Sequence, residues 1–261
     1  MHANLPSFPR RGRGRLCSAD TSSQCWTAAL TMTAPVLAAW GVHLYTAFGA
    51  VLGFLALEAT ADSRYGSAFL LMAVATFIDS TDGTLARRMR VKQVLPHFDG
   101  ARLDDIVDYL NYVVVPVVLA YHAGLIPHGP VGLFIGSFPL LASGYGFCQI
   151  DAKTEDAFFK GFPSYWNIVV FYLYTLASPL WFNNAVLVVL SVLVFVPIRY
   201  LYPSKNKTAQ RTTYVLGAIW GVCMFVMMAQ FPTPSRYLAA LSLFFPIYYL
   251  AISFHLHFRQ R

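Results

Sequence analysis

Eight runs of apolar residues, separated by short polar connections, constrain this chain more than any other feature. They cover residues 35–57, 65–86, 103–125, 130–150, 163–181, 184–202, 213–231 and 236–257. About 20 helical residues, rising about 1.5 Å each, cross roughly 30 Å of hydrocarbon. Lipid offers the backbone no outside hydrogen-bond partners, so segments of this length must cross as helices. The expectation is an all-α, polytopic integral membrane protein with eight transmembrane helices. Pro116, Pro139, Gly144, Gly221 and Pro246 fall inside the runs. Membrane helices tolerate such residues where neighbours repair the backbone. Composition agrees, because only 12% of the residues are charged and 57% are hydrophobic, where soluble domains carry about 25% charge.

The basic residues orient the spans. If the N-terminus is cytoplasmic, all of the 19 Lys and Arg except Arg64 and Arg236 fall on the cytoplasmic side. That partition satisfies the positive-inside rule and would be scrambled by adding or dropping one span. Both termini are therefore expected in the cytoplasm. Residues 1–33 are polar, basic and rich in Gly, Pro and Ser, and read as a disordered cytoplasmic arm. Residues 34–261 form the membrane domain. The net charge of +7 would suggest nucleic acid in a soluble chain. Here the arginines of the arm read as a topology signal beside anionic headgroups, and no nucleic-acid partner is expected. Cys17, Cys25, Cys148 and Cys223 form no CxxC pair, so neither a zinc site nor a disulfide framework is expected.

One segment contradicts the greasy background. Asp79, Asp82, Asp99, Asp104, Asp105 and Asp108 lie within thirty positions and make up half of the 12 acidic residues. An Asp at the centre of a span costs roughly 2.5–3.5 kcal/mol, so the group must sit at an interface, bind cations, or both. Asp79 and Asp82 are three apart and share a helix face; Asp104 and Asp108 are four apart and share another. The second and third runs are antiparallel neighbours, so these faces meet at the cytoplasmic end. Asp105 points about 100° away from Asp104, and a solvated or structural role is expected for it and for Asp99. Four carboxylates without His or Cys make a hard oxygen site suited to Mg²⁺ or Mn²⁺. Two such ions could be held, with a diphosphate supplying further oxygens. Gly83 and Gly100 permit close approach of a ligand or backbone, and Arg87 could reach a phosphate or brace a carboxylate.

The pattern Asp79-x-x-Asp82-Gly83-x-x-Ala86-Arg87, then Gly100-x-x-x-Asp104-x-x-x-Asp108, resembles the signature of the CDP-alcohol phosphatidyltransferases. The twelve residues between Arg87 and Gly100 exceed the gap in most of that family. This gap resembles the bacterial phosphatidylcholine synthase branch, as do eight spans, the six-helix family core plus two. "HLYTAFGAVLGF" and "FKGFPSYWN" are weaker similarities to the same branch. The resemblance implies a homodimeric inner-membrane enzyme that moves a phosphatidyl group from CDP-diacylglycerol to choline and releases CMP. It implies that Asp79, Asp82 and Asp104 bind metal. Asp108 would be the base for the acceptor hydroxyl and share a metal, while Gly83, Ala86, Arg87 and Gly100 lie against the CDP moiety.

A quaternary ammonium must be held by aromatic faces and nearby negative charge. Tyr165, Trp166 and Asn167 stand where the fifth run enters from the cytoplasm and are the candidates for choline binding, with Phe162, Tyr109, Tyr112 and Tyr145 behind them. Interfacial aromatic belts are the competing explanation. His43 and Thr46, three apart on the first run, could touch the nucleotide; Thr46 resembles a family position. Two alternatives remain open at this point. The acceptor could be serine or another small alcohol, or the acids could mark a divalent-cation transporter, since ion pathways also use intramembrane carboxylates.

Overall fold

The structure, a computed structural model, describes residues 33–149, 158–201 and 210–259. Apart from Thr33, the expected basic arm lies outside the described residues, as do Lys153, Lys205 and Lys207.

Among the described residues the elements are helices, apart from one short ribbon. Helix α1 covers Ala34–Ala61, α2 Tyr65–Arg88, the single turn α3 Val91–Val94, and α4 Gly100–Tyr109. A π-helical turn, Leu110–Val114, joins α4 to α5, Val115–His122. Helix α6 is Pro130–Cys148, α7 Trp166–Thr175, α8 Leu180–Phe195, α9 Gln210–Ala229, α10 Arg236–Ser242 and α11 Phe244–Arg259. Strands β1, Phe158–Lys160, and β2, Arg199–Leu201, pair antiparallel with Phe159 opposite Tyr200.

Five stretches among the described residues are long and apolar enough to cross a membrane: Ala34–Ala61, Tyr65–Arg88, Pro130–Cys148, Gln210–Ala229 and Arg236–Leu256. The other three apolar runs are shorter or interrupted, for local reasons. In the third run, Pro116 has no N–H for the Tyr112 carbonyl, and the helix widens into the π turn just ahead of it, where Val115 N–H reaches Leu110 O. The fifth run yields only ten helical residues, about 15 Å. Pro163 and a left-handed Ser164 (φ 58°) precede that helix, and a left-handed Ala177 and Pro179 follow it. The sixth run ends as a helix at Phe195, before Pro197, and residues 199–201 form a strand instead. The last run divides between Ser242 and Phe244, where Pro246 leaves the Ser242 carbonyl without its helical donor.

The first three runs pack as an antiparallel set. Tyr65 Oη donates to His122 O at 2.8 Å at one end, and Thr46 meets Asp82 near the other. Close approach depends on small residues at one helix face. A Cβ on Gly49 would lie 2.6 Å from Val107 Cγ1, and one on Gly53 would lie 2.9 Å from Leu110 Cδ2. In that gap Asn111 Nδ2 donates to Gly49 O at 2.9 Å. A core of Phe69, Val115, Leu119, Val170, Phe171 and Met227 fills the centre between α2, α5, α7 and α9. Leu44, Phe54, Phe77, Phe134 and Leu141 face outward and are exposed. Such an apolar exterior is out of place in water and suits acyl chains.

Candidate active site

The acidic residues meet where α2 ends and α4 begins. Asp79, Asp104 and Asp108 each present a carboxylate oxygen, and these oxygens lie within 4.8 Å of one another. Asp79, Asp82, Asp104 and Asp108 all line one cavity, together with Thr46, Gly49, Asn111 and Tyr112. The helical phasing of the acids is thus reproduced in three dimensions: the i, i+3 pair of α2 faces the i, i+4 pair of α4.

Asp82 differs from the other three. It is 5% exposed and accepts a 2.7 Å hydrogen bond from Thr46 Oγ1. Asp79 accepts a 2.8 Å hydrogen bond on Oδ2 from the Tyr112 phenol. Two anions less than 5 Å apart repel by at least about 3 kcal/mol at an effective dielectric constant of about 20. Three such oxygens, half-buried, are an arrangement that a cation stabilises. The donor set is oxygen only, and its spacing fits a divalent ion of the Mg²⁺ or Mn²⁺ kind.

The remaining acids of the segment serve elsewhere. Asp99 is the N-cap of α4, where its side chain accepts from Arg102 N–H at 3.1 Å. Asp105 is half-buried and does not line the cavity.

The residues expected against a nucleotide lie near the ends of α2 and α4 without forming a cluster. Arg87 is exposed and folds back along its own helix, Nη2 donating to Thr84 Oγ1 at 2.9 Å, and a Cβ on Gly83 would lie 3.4 Å from its Nη1. Ala86 packs with Ala39, Val42 and Val91, beneath the linking segment. At Gly100 a Cβ would come 2.6 Å from His43 Cε1, so glycine here makes room for an imidazole of this chain. His43 in turn packs on Phe98, with ring centroids 4.3 Å apart.

The choline candidates separate. Tyr165 is half-buried, with its ring centroid 6.4 Å from that of Tyr112. Trp166 is fully buried, and its indole N–H donates to Ser143 Oγ at 2.7 Å, leaving no face for a ligand. Asn167 is buried, and its Nδ2 donates to Thr76 Oγ1 at 3.2 Å. Tyr109 donates to Leu140 O, and Tyr145 lies against Phe195; neither lines the cavity. Sequence reasoning gave no role in the acid site to Asn111, or to Tyr112 as a partner of Asp79. The signal was present for Tyr112, which continues the four-residue spacing of Asp104 and Asp108.

Comparison with known proteins decides the family. No family model matches the chain. A protein of Legionella pneumophila named phosphatidylcholine synthase is 42% identical over 225 residues, covering 84% of this chain and 88% of the relative. Proteins of the same name from Legionella bozemanae and Pseudomonas aeruginosa are 37% and 36% identical. They align over 79% and 74% of this chain and 98% and 81% of their own lengths. The chain belongs to the phosphatidylcholine synthase family.

Proposed function

We propose that this chain is a CDP-diacylglycerol–choline O-phosphatidyltransferase, an enzyme of phospholipid biosynthesis that releases CMP. The observation that carries this reading is the convergence of Asp79, Asp104 and Asp108 in a chain homologous to phosphatidylcholine synthases over most of its length.

Asp79, Asp82, Asp104 and Asp108 would hold two divalent cations, Mn²⁺ or Mg²⁺. When bound, these ions supply charge neutralisation and orientation for a diphosphate. Thr46 fixes Asp82 from α1. Asp108 accepts the proton of the choline hydroxyl as that oxygen attacks the phosphatidyl phosphorus. The bond from phosphorus to the CMP oxygen breaks, and CMP leaves with the electron pair. Thr46 lines the acid cavity and would meet the CDP moiety there, with Arg87 swinging from Thr84 towards phosphate; Gly83, Ala86 and Gly100 would shape the approach from the ends of α2 and α4. Tyr165, its ring centroid 6.4 Å from that of Tyr112, would offer the aromatic face that a quaternary ammonium requires, with Asp79 beyond Tyr112 supplying negative charge. Trp166 and Asn167 support that face from behind.

The enzyme sits in the bacterial inner membrane as a homodimer, with eight crossings and with both termini and the site cytoplasmic. The charge partition across the eight apolar runs supports this topology. The acyl chains then remain in the bilayer while the diphosphate reaches the cytoplasmic mouth.

Expression in a host that lacks phosphatidylcholine, followed by headgroup-resolved lipid analysis, tests the proposal. Labelled choline should enter lipid in a CDP-diacylglycerol-dependent manner. Incorporation of serine or another small alcohol instead would reassign the acceptor. Metal uptake into vesicles without CDP-lipid would favour a transporter.

A further inference from the structure

Buried polar groups on three helices stand behind the acid site. Asp79 on α2 accepts the phenol hydrogen of Tyr112 on Oδ2 at 2.8 Å. Tyr112 lies in the π turn and is 8% exposed. Beside it on α2, Thr76 Oγ1 gives its own hydrogen to Met72 O at 2.9 Å. Thr76 Oγ1 accepts from Asn167 Nδ2 of α7 at 3.2 Å. Asn167 cannot turn freely, because its own Oδ1 accepts the Ile168 N–H at 2.9 Å.

Each link has a physical reason to persist. A buried hydroxyl or amide without a partner carries a desolvation penalty, and connected buried networks strengthen and rigidify one another. The phenol bond ends on one oxygen of a carboxylate whose group converges with Asp104 and Asp108. That bond restricts the carboxylate's rotation where it meets the other two. Outer hydrogen bonds of this kind set the orientation and basicity of ligating carboxylates.

We infer that Tyr112 is a positioning residue that fixes Asp79 as a divalent-cation ligand. This rests on the cation-binding reading above. It gives the π turn a purpose, since the turn carries the phenol that reaches back to α2.

The test uses the full chain in detergent micelles, with thermal unfolding followed as Mn²⁺ is titrated and no lipid or acceptor present. Tyr112→Phe keeps the ring and removes only the hydroxyl. The Mn²⁺ concentration giving half of the maximal stabilisation should rise about tenfold. Tyr112→Met, which also lacks the hydroxyl, should raise it in the same way, and it carries the test if Tyr112→Phe does not fold. With CDP-diacylglycerol and choline, turnover of Tyr112→Phe should recover towards wild type at saturating Mn²⁺. An unchanged midpoint in Tyr112→Phe, or a lower metal-free melting temperature with the same midpoint, overturns the inference and leaves the cation reading intact. A wild-type protein with no response to Mn²⁺ overturns both.

Discussion

The Thr46 hydroxyl of α1 donates a 2.7 Å hydrogen bond to the carboxylate of Asp82 on α2, and both residues are buried. Hydrogen bonds to charged groups contribute about 1.5–3 kcal/mol. Thr46→Val keeps the shape and leaves a buried carboxylate without that donor. Its turnover should fall roughly 10- to 100-fold, from the same free energy, while Thr46→Ser retains most of it. Equal activities of the Val and Ser variants would remove the hydroxyl from the argument.

Asp108 is proposed as the base as well as a cation ligand. Asp108→Asn should lower turnover by about 10²- to 10⁴-fold, the usual contribution of a positioned base, while CDP-diacylglycerol binding survives. Asp105→Asn, three residues earlier on the same helix but outside the cavity, should be close to wild type. Measured side by side in purified membranes, a severe Asp105 defect with an active Asp108 variant would reverse the assignment.

Chelation should abolish turnover, and Mn²⁺ or Mg²⁺ should restore it. The same treatment should lower the melting temperature, because Asp79, Asp104 and Asp108 then repel one another at less than 5 Å. A chelated protein that melts at the same temperature as the Mn²⁺-loaded one contradicts this account.

Gly49 and Gly53 are occupied by neighbours in the space where a Cβ would stand, Val107 in one case and Leu110 in the other. Gly49→Ala and Gly53→Ala should each destabilise by about 1–3 kcal/mol, the usual cost of overpacking, and the double variant by more. Thermal unfolding in detergent reads this directly. Gly41→Ala is the control, with no atom near the added carbon, and should be neutral.

The acid site was legible because its information is local. Asp79 with Asp82, and Asp104 with Asp108, are spaced by the helical repeat, and one short link forces their helices to be antiparallel neighbours. The interruptions were less legible. Pro116 signals a defect in the third run, but not that the helix widens by one residue to accommodate it. Trp166 looked available to a ligand because an aromatic run at an interface gives no hint of which ring turns inward. Its partner Ser143 is 23 residues away in sequence, and such a pairing carries no periodic signal. Asn111 was invisible for the same reason: its value lies in reaching the Gly49 carbonyl, 62 residues away.

The widened turn at Leu110–Val114 divides one long helix into two independently phased halves. Residues before it keep angular register with the acids of α2, and residues after it keep register with the apolar centre around Leu119. A one-residue deletion inside the turn would restore ordinary winding with both halves in place, whereas a further one-residue insertion would rotate one half against the other by about 100°. Either the carboxylates or the central packing would then face the wrong way. Chemistry and cohesion in this helix therefore share a single extra residue as their joint.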